Sequence, residues 1–322
     1  VDVMFFEAFK EEELLIRKVL PSEILAGFTY KTIQAANLQT PPSTCVSIRT
    51  QSIIPKEWAY QLQGILTRST GYDHLLAYCQ DLSMRVPCGY LPDYCARAVA
   101  EQVILMVLAL MRRWKQQILQ FDTFCRDDIT GQECLDKRLL VCGVGRIGTQ
   151  VVGLARGLQM DVKGVDVIER LKDLSYVGLE EGIQWAQVVV CALPLTCQTQ
   201  GLFNYQLLRQ LTTGSLFVNI SRGEVAVFND LNRLLEEGIL GGLAMDVFEN
   251  EAFLAERLRT GEGVEDPFVQ QVVAMKNRHN VIFTPHNAFN TQESLARKVQ
   301  QSVHAIKVFL QKREFPNPVP QI

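Results

Sequence analysis

Arg222 in VNISRGE, Asp246 and Glu251 in MDVFENE, and His286 in FTPHNAF bring together a guanidinium, carboxylates and an imidazole, each closing or just past an apolar run. That set suits carbonyl reduction. A hydride arriving at a carbonyl carbon builds negative charge on the oxygen, which a guanidinium can stabilise and an imidazolium can protonate. His286 is the candidate acid, and a nearby carboxylate such as Glu251 would orient the ring and favour its protonated form. A guanidinium such as Arg222 is also suited to gripping a substrate carboxylate through paired hydrogen bonds. Taken singly, His286 could be a hydrogen-bonded turn residue, Arg222 a helix-end salt bridge, and Glu249 or Glu251 a solvated loop charge. Their common placement after strands favours chemistry. His74, His279 and His304 have no such company and read as structural or exposed.

The elements that must position these residues are signalled around Leu139–Gly153, LLVCGVGRIGTQVVG. The apolar run Leu139–Cys142 reads as a buried parallel strand that breaks at Gly143, Gly145 and Gly148 into helical spacing at Ile147, Val151, Val152 and Leu154. In a strand–glycine turn–helix unit, Gly143 permits the tight turn and Gly145 lets a pyrophosphate approach the backbone. Gly148 lets the helix pack on the strand with its amino end toward the phosphates. Asp166, closing the run Val162–Val165, is the acid expected for the adenosine ribose hydroxyls, and it favours NAD over NADP because it would repel a 2′-phosphate. Further strands are expected at Val188–Ala192, Leu216–Ile220, Leu243–Val247 and Val281–Thr284, with helices at Tyr205–Leu211 and Asn229–Glu237. A helix and a surface loop are expected within Ala252–Arg278. If these strands run parallel in one sheet, Arg222, Asp246, Glu251 and His286 share the edge that carries the glycine turn.

Residues 1 to about 93 alternate apolar runs and amphipathic segments: Val1–Phe6, Glu11–Leu20, Phe28–Thr32, Cys45–Arg49, Lys56–Leu62 and Gly64–Thr67. This predicts a second, smaller parallel sheet covered by helices. Its last strand runs into Arg68-Ser-Thr-Gly-Tyr-Asp73, a turn whose amides could hold an anion or simply join strand to helix. A long apolar helix is expected from about Ala96 to Gln120, passing between domains or packing on a second subunit. The chain closes with an amphipathic helix, Gln292–Lys312, and an extended Phe315–Pro320.

At 322 residues two domains are the better expectation. The net charge of −3 without a basic run gives no reason to expect nucleic acid as a partner. The most apolar stretch, Val103–Met111, is bounded by Glu101 and by Arg112–Arg113 and is far too short for a bilayer. The opening VDVMFFEAF has neither a basic leader nor a small-residue cleavage site, so a cytoplasmic location is expected, and the missing Met suggests processing or trimming. Nine cysteines without a CxxC pair read as buried cytosolic thiols rather than a disulfide framework or a zinc site, and no metal is expected.

With these residues in view, the chain resembles the D-isomer-specific 2-hydroxyacid dehydrogenases, and within them the D-lactate dehydrogenase-like branch. The resemblance runs through RSTGYDH (Arg68–His74), AVAE (Ala98–Glu101), GVGRIG (Gly143–Gly148), LPLT (Leu193–Thr196), VNISRG (Val218–Gly223), MDVFENE (Met245–Glu251) and TPHNAFNT (Thr284–Thr291). It implies an α/β protein of two Rossmann-like or flavodoxin-like domains with parallel sheets and a cofactor cleft between them. The substrate domain would be 1–93 completed by 290–322, and the NAD-binding domain 94–289. It implies Arg222, Glu251 and His286 as the catalytic set, with Thr70 and Gly71 amides on the substrate carboxylate and Tyr94 and Phe289 near the substrate side chain. Gly143, Gly145, Arg146, Ile147, Gly148, Asp166, Pro194 and Asp246 would serve the NAD. A homodimer through the long helix is the implied assembly. Three departures bear on the substrate: Ala192 stands where many relatives have His, Asn290 where the lactate-like branch usually has Tyr, and Cys95–Ala96 replace a common Ser-Pro. D-lactate and pyruvate are the leading pair; the alternatives are a larger or unusual 2-hydroxy acid, or a nucleotide-sensing protein like the related transcriptional corepressors.

Overall fold

The computed structural model describes residues 1–80, 82 and 86–320. The chain divides into two compact units, one of Val1–Cys95 with Asn290–Ile322 and one of Ala96–Phe289.

The first unit holds a five-stranded parallel sheet of β1 (Val3–Phe5), β2 (Ala26–Phe28), β3 (Cys45–Ile48), β4 (Gly64–Thr67) and β5 (Cys88–Gly89), in the order β2-β1-β3-β4-β5. This is the flavodoxin-like order. Both β3 and β4 are buried at every position, as the near-continuous apolar run of a doubly covered strand requires. The terminal segment completes the unit: Phe309 lies against Gly64, Phe315 packs on Gly89, and Gly89 bridges Pro318.

In the second unit β6 (Arg138–Cys142), β7 (Asp161–Val165), β8 (Ser175–Tyr176), β9 (Val188–Cys191), β10 (Ser215–Asn219), β11 (Leu240–Met245) and β12 (Val281–Phe283) form one parallel sheet. Their order, β12-β11-β10-β9-β6-β7-β8, is that of a Rossmann sheet with one more strand at its end, and the direction of winding reverses between β6 and β9. The core is aliphatic and aromatic, including Leu140, Val189, Phe217, Leu243 and Met245.

Several expectations need correction. The sheet of the second unit has seven strands rather than six, because β8 is too short to leave a periodic pattern. Likewise β2 lies earlier than Phe28–Thr32, and β5 and the helix Asp73–Gln80 complete the smaller unit unannounced. The long helix is two, Ala96–Met111 and Trp114–Gln120, broken where Arg113 takes a left-handed φ of 50° without Gly or Pro to mark it. The segment expected to hold one helix holds two, Glu251–Thr260 and Pro267–Lys276. The second is launched by Asp266, whose carboxylate accepts from the Phe268 and Val269 amides, with Pro267 at the first turn. The helix Gln292–Lys312 stands where its apolar spacing put it.

Candidate active site in the second unit

The register of the sheet sets the site. Cys142, Cys191, Asn219, Met245 and Phe283 pair side by side across β6, β9, β10, β11 and β12, so all five strands end at one level and point the same way. Gly143, Ala192, Asp246 and Thr284 each follow at once. Arg222 and His286 stand three residues beyond their strands. One sheet edge therefore carries the glycine turn, the arginine, the buried aspartate and the histidine.

At the turn, Gly143 has φ 95°, and a Cβ there would meet the Ala192 carbonyl oxygen at 2.6 Å. A Cβ on Gly148 would lie 2.0 Å from the Gly143 carbonyl oxygen, so only glycine lets the helix start this close to the strand. Gly145 is different: among the described residues nothing lies within 4 Å of where its Cβ would stand. That open face covers the start of the helix Arg146–Gly157, whose first turn has no side-chain cap. Amide N–H groups and a bare backbone facing open space make a seat for a pyrophosphate. The residues present thus fit a dinucleotide. Asp166, at the end of β7, accepts from the Val144 amide at 2.7 Å and from the Ile168 amide at 2.9 Å. Its carboxylate braces the turn and retains lone-pair positions for hydroxyl donors. Pro194, beyond β9, accepts from the Thr199 hydroxyl through its carbonyl.

Arg222 is held by its neighbours in sequence. The Asn219 side-chain amide donates to the Arg222 carbonyl at 3.0 Å, Asn219 Oδ1 accepts from the Ser221 amide and hydroxyl, and the Arg222 guanidinium donates to the Ser221 carbonyl at 2.8 Å. Gly223 then crosses the loop after β11 so closely that a Cβ would sit 1.9 Å from the Phe248 carbonyl carbon. That crossing fixes the loop bearing Arg222 against the loop leading to Glu251.

Glu251 opens its helix after Asn250, which has φ 48°, and His286 itself has φ 49°. Both are left-handed positions, strained for most side chains and most tolerable for residues such as Asn and His. The His286 backbone is over-determined: its amide donates to the Asp246 carbonyl at 2.8 Å and to the Thr284 carbonyl at 3.0 Å. Its Nδ1 lies 2.8 and 2.9 Å from the two Glu251 oxygens, in a half-buried pair. Asp246, buried, takes the Thr284 hydroxyl and the Asn287 amide on one oxygen and the Ala288 amide on the other, so it organises the histidine loop. Burial pushes its carboxyl above the usual range against those hydrogen bonds. Burial and the nearby Glu224 also raise Glu249. Among the described residues no group of His, Cys, Asp or Glu could hold a metal ion.

The remaining expected site residues divide between the units. Phe289, buried, ends the second. Thr70, Gly71 and Tyr94 belong to the first, where the Tyr94 hydroxyl donates to the Arg68 carbonyl at 3.4 Å, Thr70 Oγ1 contacts Cys95 Sγ at 3.6 Å, and the Gly71 carbonyl accepts from Ser69. Beneath this turn is a buried ionic cluster absent from the sequence-based expectations. Arg68 donates to Glu12 at 3.0 Å, to Ser47 and to the Phe6 carbonyl, and Lys298 reaches the same Glu12 oxygen at 2.7 Å, all three charged side chains being fully buried. A signal existed: Lys298 falls three residues after Leu295 and four before Ser302, on the buried face of its helix. Burial alone would raise the Glu12 carboxyl, but the charges of Arg68 and Lys298 outweigh it and hold the group well below the usual carboxylate range.

Comparison with known proteins bears on the fold and the family. The model for the D-isomer specific 2-hydroxyacid dehydrogenase NAD-binding domain matches residues 103–288. A D-specific alpha-keto acid dehydrogenase from Enterococcus faecium is 25% identical over 301 residues, covering 90% of this chain and 91% of its own. A D-lactate dehydrogenase from Staphylococcus aureus is 24% identical over 262 residues, covering 79% and 77%. A crystal structure of D-lactate dehydrogenase from Aquifex aeolicus, complexed with NAD and lactic acid, superposes with a TM-score of 0.87 at 25% identity, over 99% of this chain and 100% of that one. The family match spans more than half of the chain, and the protein belongs to the D-isomer-specific 2-hydroxyacid dehydrogenases, oxidoreductases that use NAD.

Proposed function

We propose that this protein interconverts a 2-oxo acid and a D-2-hydroxy acid, with pyruvate and D-lactate as the leading pair. The observation that carries this reading is the His286–Glu251 pair at 2.8 Å on the sheet edge shared with Arg222 and the glycine turn. NAD, when bound, supplies or accepts the hydride. Glu251 holds Nδ1 of His286, so Nε2 is the atom that gives a proton to the carbonyl oxygen in reduction and takes it back in oxidation. Arg222 offers its planar fork to the substrate carboxylate and carbonyl. The amides of Thr70 and Gly71 bind the carboxylate, and Tyr94 and Phe289 border the substrate side chain. Gly143, Gly145, Arg146, Ile147, Gly148, Asp166, Pro194 and Asp246 serve the cofactor. The choice of lactate draws on the Aquifex relative with its bound lactic acid.

The first unit would serve as the substrate domain and the second as the cofactor domain. A homodimer in the cytoplasm is the assembly and location proposed. Support for the dimer comes from the exposed apolar side chains of Trp114, Ile118, Leu119, Phe121 and Phe124 on and just after the helix Trp114–Gln120. A panel of 2-oxo acids with NADH, followed at the nicotinamide absorbance, tests the reaction. Turnover of pyruvate above bulkier acids is expected; no turnover of any 2-oxo acid overturns the reading. Sedimentation should give twice the chain mass, and a monomer would refute the dimer.

A further inference from the structure

Two cysteines of the first unit face each other with their sulfur atoms 3.6 Å apart: Cys79, the penultimate residue of the helix Asp73–Gln80, and Cys88, the first residue of β5. They differ in what holds them. Cys88 is buried and pinned in the sheet, its residue paired with Ile65 and its carbonyl accepting from the Val319 amide at 2.8 Å. Cys79 is half-buried at a helix end, where the last turn gives most readily. We propose that Cys79 and Cys88 are a reversible thiol-oxidation site, in which Cys79 is the attacking and Cys88 the resolving sulfur, and whose disulfide locks the end of this helix to β5.

A second pair in the same chain shows why contact alone does not suffice. Cys142 and Cys191 are direct register partners in β6 and β9, but both are fully buried. Burial pushes the Cys191 thiol up to about 11 and Cys142 well above its ordinary range, so neither presents a thiolate. Cys79 goes the other way. Its contact with Cys88 lowers its thiol against the effect of burial, while that contact and burial push Cys88 up. A lowered, half-buried thiol in contact with a partner that stays protonated is the arrangement that favours exchange.

The co-reactant is a small disulfide such as oxidised glutathione. The Cys79 thiolate attacks one of its sulfurs, releasing one thiolate and leaving a mixed disulfide on Cys79. Cys88 gives up its proton and attacks the Cys79 sulfur, releasing the second small thiol. Two protein thiols lose two electrons, and one small disulfide gains them. The sulfurs must close from 3.6 Å to about 2 Å, a shift the helix end can supply. The helix so anchored begins at Asp73, two residues after the turn of Thr70 and Gly71.

The test is to incubate the intact protein with oxidised glutathione near pH 7.5, block remaining thiols and map the peptides without reduction. A Cys79–Cys88 linkage, reversed by dithiothreitol and absent from Cys79→Ser, is expected. Hydrogen exchange should show slower exchange of the amides of residues 73–80 in the oxidised protein. Glutathione found only on the exposed Cys197, a Cys79 adduct that never resolves, or a linkage that leaves that exchange unchanged would each overturn the proposal. These readouts need no turnover, so they stand or fall separately from the proposed reaction.

Discussion

His286 Nδ1 and the carboxylate of Glu251 meet at 2.8 Å although the two residues are 35 apart in the chain, and each comes off a left-handed backbone position, His286 at its own φ and Glu251 after Asn250. Two strained loops aimed at one contact mean that the pairing is held by the scaffold and not by chance rotamers. If His286 protonates the carbonyl oxygen, reduction and oxidation should show opposite pH limbs set by one group. Glu251→Gln replaces the carboxylate that holds Nδ1 with a neutral amide, so the ring is less firmly oriented and the rate in both directions should fall. His286→Ala should abolish the limb and lower the rate about 10²–10⁴-fold. Stopped-flow profiles in both directions check this; a Glu251→Gln variant with the parent's rates would dissolve the pairing.

Arg222→Lys keeps a positive charge but loses the planar fork and its bond to the Ser221 carbonyl. Catalytic efficiency should fall while the dissociation constant for NADH, measured by fluorescence titration, changes little. Unchanged efficiency would assign Arg222 a purely structural role.

Asp166 stands at the end of β7 and also accepts the Val144 amide of the glycine turn. Asp166→Ala should weaken NADH, by losing both the hydroxyl acceptor and the brace, and should favour NADPH relative to it by removing the negative charge. The ratio of the two catalytic efficiencies is the measurement. Equal use of both cofactors by the parent would contradict the assignment.

The buried cluster makes the first unit acid-sensitive. Glu12 titrates lower in the folded chain than in the unfolded one, so its contribution to stability is present above about 4.5, the unfolded value, and is lost as pH falls below that toward the folded value. Glu12→Gln leaves Arg68 a buried cation without its counter-charge and pushes Lys298, already lowered to about 7 by burial, toward its neutral form, and should destabilise by about 3–5 kcal/mol. Thermal melts should show the parent losing stability as pH falls from about 5 to 3, and the variant melting below the parent at pH 7.

Most of the larger sheet could be read from apolar runs, because a strand covered on both faces leaves four or five consecutive buried residues, as in Val188–Cys191. What stayed hidden was short or unmarked. Ser175–Tyr176 and Cys88–Gly89 are two-residue strands recruited by their neighbours, and the break at Arg113 has no glycine or proline to announce it. Arg222, Glu251 and His286 were legible because each follows a strand that was itself legible. The Glu12–Arg68–Lys298 cluster was not, since it joins residues from three distant segments and its members look like ordinary surface charges one at a time.

That cluster also bears on how the chain comes into being. Glu12 and Arg68 are made before Lys298, which, together with Phe309, Phe315 and the strand-like bridge at Pro318, follows more than 200 residues later. Until then the first sheet lacks both the cation that completes its buried charge set and the aromatic cover over Gly64 and Gly89. The Ala96–Phe289 unit is continuous and can fold as it is synthesised, so Val1–Cys95, although made before that unit, matures after it.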